Sequence, residues 1–142
     1  ILRMAWKHTY EDMLKKAYKL LPKVTAKDSR FEIPKVHGRL QGNKTIITNF
    51  NQISNHLRRE ESHFLKFMLR ELATTGEVGS GTATFMGKHS PASLNLKVEK
   101  YVKEFVLCKQ CGKPDTELIV EKGTTFKRCE ACGSRTSVRS IK

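Results

Sequence analysis

The sequence predicts an α+β protein: an N-terminal amphipathic helix, a small winged-helix-like α-β core, a connector helix, and a C-terminal ribbon closed by four cysteines. Three observations carry this. Cys108-x-x-Cys111 and Cys129-x-x-Cys132 stand 17 residues apart (112–128), a spacing that lets two short turns face each other across a β-hairpin and offer four thiolates to one metal ion. Apolar residues recur at helical spacing in four separate stretches. Between those stretches run glycine-punctuated segments that alternate as strands do.

The first element is a helix. Thr9 followed by Asp12 resembles a capping box with aspartate in place of glutamate, and Tyr10, Met13, Leu14, Ala17, Tyr18 and Leu21 then form one apolar stripe up to Pro22. Lys15, Lys16, Lys19 and Lys23 occupy the other face, and Val24 to Ser29 is polar, as a linker would be. Such a helix either packs on its own domain or lies in a groove on a partner.

Phe31 to His37 and Thr45 to Thr48 are expected as extended segments flanking the turn formers Gln41-Gly42-Asn43-Lys44. Gly42-Asn43-Lys44-Thr45 lacks the earlier glycine of a phosphate loop and is taken as a hairpin turn. A short helix follows with Phe50, Ile53 and Leu57 inward. A longer one starts near Glu61, with Phe64, Leu65, Met68, Leu69 and Leu72 on its apolar face. Thr75 to Gly81 breaks that helix, and Thr82 to Met86 reads as the second arm of a hairpin, giving the outline of a winged helix.

Ser90-Pro91 is a helix start, and Leu94, Val98, Tyr101, Val102 and Phe105 make a stripe that runs almost directly into Cys108. The ribbon is therefore expected to be closely tethered yet free to swing. The domain boundaries implied are 1–27 for the first helix and linker, 28–89 for the central domain, 90–106 for the connector and 107–142 for the ribbon. Within the ribbon, Thr116 to Glu121 and Thr124 to Arg128 form a hairpin around Gly123.

Cys108, Cys111, Cys129 and Cys132 are the expected ligands of one structural Zn²⁺, with Gly112 and Gly133 easing each turn behind the second thiolate. A closed four-cysteine site leaves no open position for catalysis, and no other catalytic constellation is visible. His8, His37, His56, His63 and His89 are scattered, and no cysteine is left over as a nucleophile. A ribbon this small needs its metal, whereas the central domain has a core of its own.

Twenty-seven lysines and arginines face 14 acidic residues, a net charge of +13, which favours a polyanionic partner such as RNA or a ribosomal surface. Lys109, Lys127, Arg128, Arg135 and Arg139 are the candidate phosphate contacts on the ribbon and connector, the alternative being a solvated ribbon surface. No apolar run approaches the ~20 residues needed to cross a bilayer, so no membrane role is expected.

From Tyr10 onward the chain resembles the β subunit of translation initiation factor 2 of archaea and eukaryotes. The resemblance rests on Arg30-Phe31-Glu32-Ile33-Pro34-Lys35-Val36, on Gly42 to Phe50, on Leu65 to Leu72, on Lys100 to Cys108, and on Pro114-Asp115-Thr116 with Cys129 to Gly133. It implies a non-catalytic, cytoplasmic subunit of a heterotrimer that carries methionyl initiator tRNA to the small ribosomal subunit. The γ subunit binds and hydrolyses GTP, and the α subunit is reached through γ. It further implies that the Tyr10 to Leu21 stripe docks on γ. The missing lysine-rich N-terminal extension points to the archaeal type. Ala73-Thr74 departs from the family's usual glycine-threonine, and Ser90 to Leu94 is an unusual start for the connector. The rival readings are the GTPase-activating initiation factor 5, which shares core and ribbon, and a zinc-ribbon transcription factor.

Overall fold

The computed structural model describes residues 8–21 and 31–141. The chain divides into two compact units, 1–30 and 31–142. The first carries helix α1, Tyr10–Leu20. Thr9 caps it as its sequence predicts: the hydroxyl accepts the Asp12 N–H at 3.4 Å and donates to the Asp12 carboxylate at 2.9 Å. Every residue of α1 is exposed. Pro22 and the polar stretch Val24 to Ser29 lie outside the described residues.

The second unit opens with a correction. Residues 31–37 form no strand, and β1 is Gly38–Gln41, paired with β2, Lys44–Ile47. Pro34 has no N–H to give a ladder. Side chains pin this segment instead. The Asn49 amide accepts from the His37 N–H and donates to the Lys35 carbonyl, Asn95 accepts from the Val36 N–H, and Phe31 stacks on His56.

Helices α2 (Phe50–His56) and α3 (Glu61–Leu72) follow, then β3 (Gly76–Gly79), β4 (Thr82–Met86) and α4 (Pro91–Tyr101). The four strands form one antiparallel sheet in the order β1-β2-β4-β3, with Thr45 opposite Phe85 and Ile47 opposite Ala83. Those four side chains share a buried face because alternate strand residues point the same way. Against them pack Phe50, Ile53 and Leu57 from the α2 region, and Phe64, Phe67 and Met68 of α3. Phe67, which the sequence reading left out of the α3 stripe, is fully buried.

The connector proves to be part of this core. Leu94, Val98, Tyr101, Val102 and Phe105 are all buried, and the rings of Phe64, Phe67 and Phe105 surround Tyr101 at 4.9, 5.0 and 5.1 Å. Ser90 caps α4 through the Ser93 N–H. The helix continues into a wider π-helical turn, Val102–Val106, closed by the Leu107 N–H on the Val102 carbonyl at 2.8 Å.

The ribbon is a three-stranded antiparallel sheet of β5 (Thr116–Glu121), β6 (Thr124–Cys129) and β7 (Arg135–Val138), in that order. Lys122 and Gly123, both at positive φ, form the two-residue turn between β5 and β6.

Candidate metal centre and docking surfaces

Two copies of one backbone device build the cysteine site. In the first, the Cys108 N–H donates to the Lys113 carbonyl and the Gly112 N–H returns to the Cys108 carbonyl. In the second, the Cys129 N–H donates to the Ser134 carbonyl and the Gly133 N–H returns to that of Cys129. Gly112 and Gly133 have φ of 70° and 72°, a region that a β-carbon disfavours. The two turns bring all four sulfurs within 4.8 Å of one another. Cys108 and Cys132 Sγ are 3.6 Å apart, and Cys111 and Cys129 Sγ are 3.5 Å apart. A tetrahedron of sulfurs about 2.3 Å from a central ion has edges of about 3.8 Å, so the four cysteines are placed to bind a metal ion.

The electrostatics around the sulfurs fit that use. Burial opposes a thiolate at Cys108, but hydrogen bonds from Ser134 and the Cys111 and Gln110 backbone outweigh it and bring the thiol down to about 5. Ser134 Oγ lies 3.1 Å from both Cys108 and Cys132 Sγ, and it lowers Cys132 as well. At Cys111 the Lys113 backbone pulls the thiol down, yet desolvation and the three neighbouring sulfurs push it up to about 11. Four thiolates this close need a cation among them. Sequence reasoning missed Ser134, although its place two residues after a ligand is where a hydroxyl reaches a thiolate.

The basic candidates divide. Lys127 is not a surface charge: it is 2% exposed, and its ammonium donates to the Glu104 carbonyl at 2.9 Å and the Leu107 carbonyl at 2.5 Å. The reason is strand parity, since Lys127 shares a face of β6 with the buried Thr125 and Cys129. Arg128 is exposed and paired with Glu117, and Arg135 pairs with Glu121 while lying 4.3 Å over the Phe126 ring. Arg139 reaches Glu104 at 3.2 Å and Glu71 at 3.7 Å. Lys109 is exposed, with no ion pair among the described residues.

Arg59 was not foreseen at all. It leaves the loop between α2 and α3 directly after Arg58, which holds φ 51°, and is 8% exposed. Its guanidinium donates to the carbonyls of Arg58, Thr116 and Phe105 at 2.9, 2.8 and 2.8 Å and to the Thr116 hydroxyl at 2.7 Å. Burial lowers the pKa of both Arg59 and Lys127. In sequence, Arg58-Arg59-Glu60-Glu61 looks like a solvated charge run, and nothing local distinguishes its second arginine.

Helix α1 offers a different kind of surface. Tyr10 and Tyr18 are 73% and 69% exposed, and Met13, Leu14, Ala17 and Leu21 are exposed beside them. A continuous apolar stripe left in water is the usual mark of an interaction site. No described helix is long and apolar enough to cross a membrane.

Comparison with known proteins matches a family model, described as a domain found in initiation factors 2B and 5, over residues 22–135. Translation initiation factor 2 subunit beta of Methanopyrus kandleri is 42% identical over 135 residues, 95% of this chain and 98% of the relative. That of Methanococcus vannielii is 40% identical over 132 residues, 93% of this chain and 96% of the relative. That of Methanosphaera stadtmanae is 41% identical over 132 residues, 93% of each. The chain belongs to the family of translation initiation factor 2 β subunits. Ala73 caps α3 in the left-handed region at φ 49°, ψ 45°, which a β-carbon disfavours.

Proposed function

We propose that this chain is the non-catalytic β component of a heterotrimeric initiation factor that delivers methionyl initiator tRNA to the small ribosomal subunit in the cytoplasm. GTP is bound and hydrolysed by the γ subunit, and the α subunit joins through γ. The observation that carries this reading is the likeness to archaeal β subunits across nearly the full length of both chains. The exposed stripe Tyr10, Met13, Leu14, Ala17, Tyr18 and Leu21 supports γ docking, because apolar area left in water in the lone chain is area a groove can bury. Cys108, Cys111, Cys129 and Cys132 hold one Zn²⁺, whose thiolate chemistry suits a closed, structural tetrahedron.

The working division is 1–27 for docking, 28–89 for the core, 90–106 for the connector and 107–142 for the ribbon. Lys109, Arg128, Arg135 and Arg139 contact RNA phosphates, and Lys127 leaves that set because its ammonium is buried. The family model's description also names initiation factor 5, a GTPase-activating reading in which the α1 stripe has no assigned partner. Affinity capture from cell extract tests these readings together. Recovery of a GTPase subunit with an α subunit is expected, and recovery of RNA polymerase without a GTPase would overturn it.

A further inference from the structure

A helix ends with its last carbonyls unpaired, and these must find donors elsewhere. At the end of the connector, four consecutive carbonyls, Glu104 to Leu107, do so. Glu104 and Leu107 carbonyls accept from Lys127, the Phe105 carbonyl from Arg59, and the Val106 carbonyl from the Thr116 hydroxyl at 2.5 Å. Lys127 and Thr116 belong to the ribbon. Arg59 belongs to the core, and it also holds Thr116 by both carbonyl and hydroxyl. One guanidinium thus joins three pieces: the α2–α3 loop, the helix end and the first ribbon strand.

We propose that Arg59 is a positioning residue that seats the cysteine ribbon on the connector's C-terminus and so fixes the direction in which the ribbon's outer face is presented. The chemistry favours this use. Two cations at a helix C-terminus meet the negative end of the macrodipole and complete its hydrogen bonds. The planar fork of arginine satisfies acceptors on two segments at once, whereas a lysine provides a point charge without that geometry. Arg58 is held in the left-handed region immediately before Arg59, where a non-glycine residue is strained, and such strain persists only where its surroundings over-determine it. Arg139 adds a second, more exposed tether through Glu104 and Glu71, but it grips side chains at the rim and leaves the carbonyls untouched. The expected free swing of the ribbon is therefore replaced by a seated ribbon whose release requires breaking the Arg59 fork.

The test is orientation. Residual dipolar couplings are measured on the full chain as purified, for wild type, Arg59→Met and Arg59→Lys, with Thr116→Val as a variant that keeps the arginine. In wild type, couplings from 31–106 and from 107–141 should fit one alignment tensor. In Arg59→Met the core couplings should keep their magnitude while those of the ribbon shrink relative to them, with Arg59→Lys intermediate and Thr116→Val shifted the same way. A wild type that needs two independent tensors would overturn the proposal. So would variants that retain the common tensor. If Arg59→Met fails to fold, Thr116→Val alone decides between these outcomes, since it removes the hydroxyl at the junction at nearly constant volume.

Discussion

A lysine ammonium hidden from water is stable only if its hydrogens find acceptors, and Lys127 finds two at the connector's end. Replacing it with methionine keeps the aliphatic stem but strips the Glu104 and Leu107 carbonyls of a charged donor. A loss of about 2 kcal/mol is expected in denaturant unfolding, since hydrogen bonds to charged groups contribute roughly 1.5–3 kcal/mol. Lys109→Met, at an exposed site, should change stability by less than about 0.5 kcal/mol. His63 provides a pH signature. Burial first, and then the neighbouring Arg59, lower its pKa below the ordinary 6.5. Its folded form therefore binds its proton less readily than the unfolded chain, so stability present above 6.5 is lost as pH falls toward the folded value. Thermal melts across that window should show this slope, and His63→Gln should flatten it. At this scale the sequence announced the four ligands, because cysteine pairs at this spacing have few other uses. It hid Arg59 and Lys127, because charge alone does not tell a buried cation from a solvated one. Parity with Cys129 was the one clue to Lys127.

Elements show the same contrast between local and distant causes. Thr9 with Asp12 and Ser90 with Pro91 predicted helix starts that the structure contains, since caps are read by groups three residues away. The strand expected over 31–37 failed because its partners are the side chains of Asn49, Asn95 and His56, which no local pattern reveals. The end of α3 carries a testable cost. Ala73→Gly should stabilise the protein by about 1 kcal/mol, because the β-carbon is penalised in left-handed backbone, and a raised melting temperature is the readout. For α1 the expectation concerns assembly. A large apolar side chain buried in a groove contributes about 1.5–3 kcal/mol, so Leu14→Asp should remove most γ binding while leaving the melting of the remaining chain unchanged. Calorimetric titration with isolated γ decides it, and wild-type affinity in that variant would make α1 something other than a docking element.

For the whole molecule, the sequence supplied each module but not their joining, because the junction depends on contacts between residues 57 positions apart. Metal removal follows from that junction. If the four cysteines hold the proposed Zn²⁺, chelation should unfold the small ribbon sheet and uncover the carbonyls of Glu104 to Leu107. The core should then melt at a lower temperature while still melting cooperatively, and faster amide exchange at Leu107 should mark where the loss enters. An unchanged core melting temperature would show that the two modules are energetically separate. The sheet order has a consequence in time as well as in space. Strands β1 with β2, and β3 with β4, are neighbours in sequence, but β2 meets β4 only by closing the chain from Lys44 to Met86 around both intervening helices. Closing so long a loop is entropically unfavourable until the helices it encloses are formed. Hairpins and helices should therefore arise early and reversibly, with β2–β4 pairing as the committing step. During synthesis that step must wait until Met86 has left the ribosome, so the newborn protein cannot close its core while the helices between β2 and β4 are still being made.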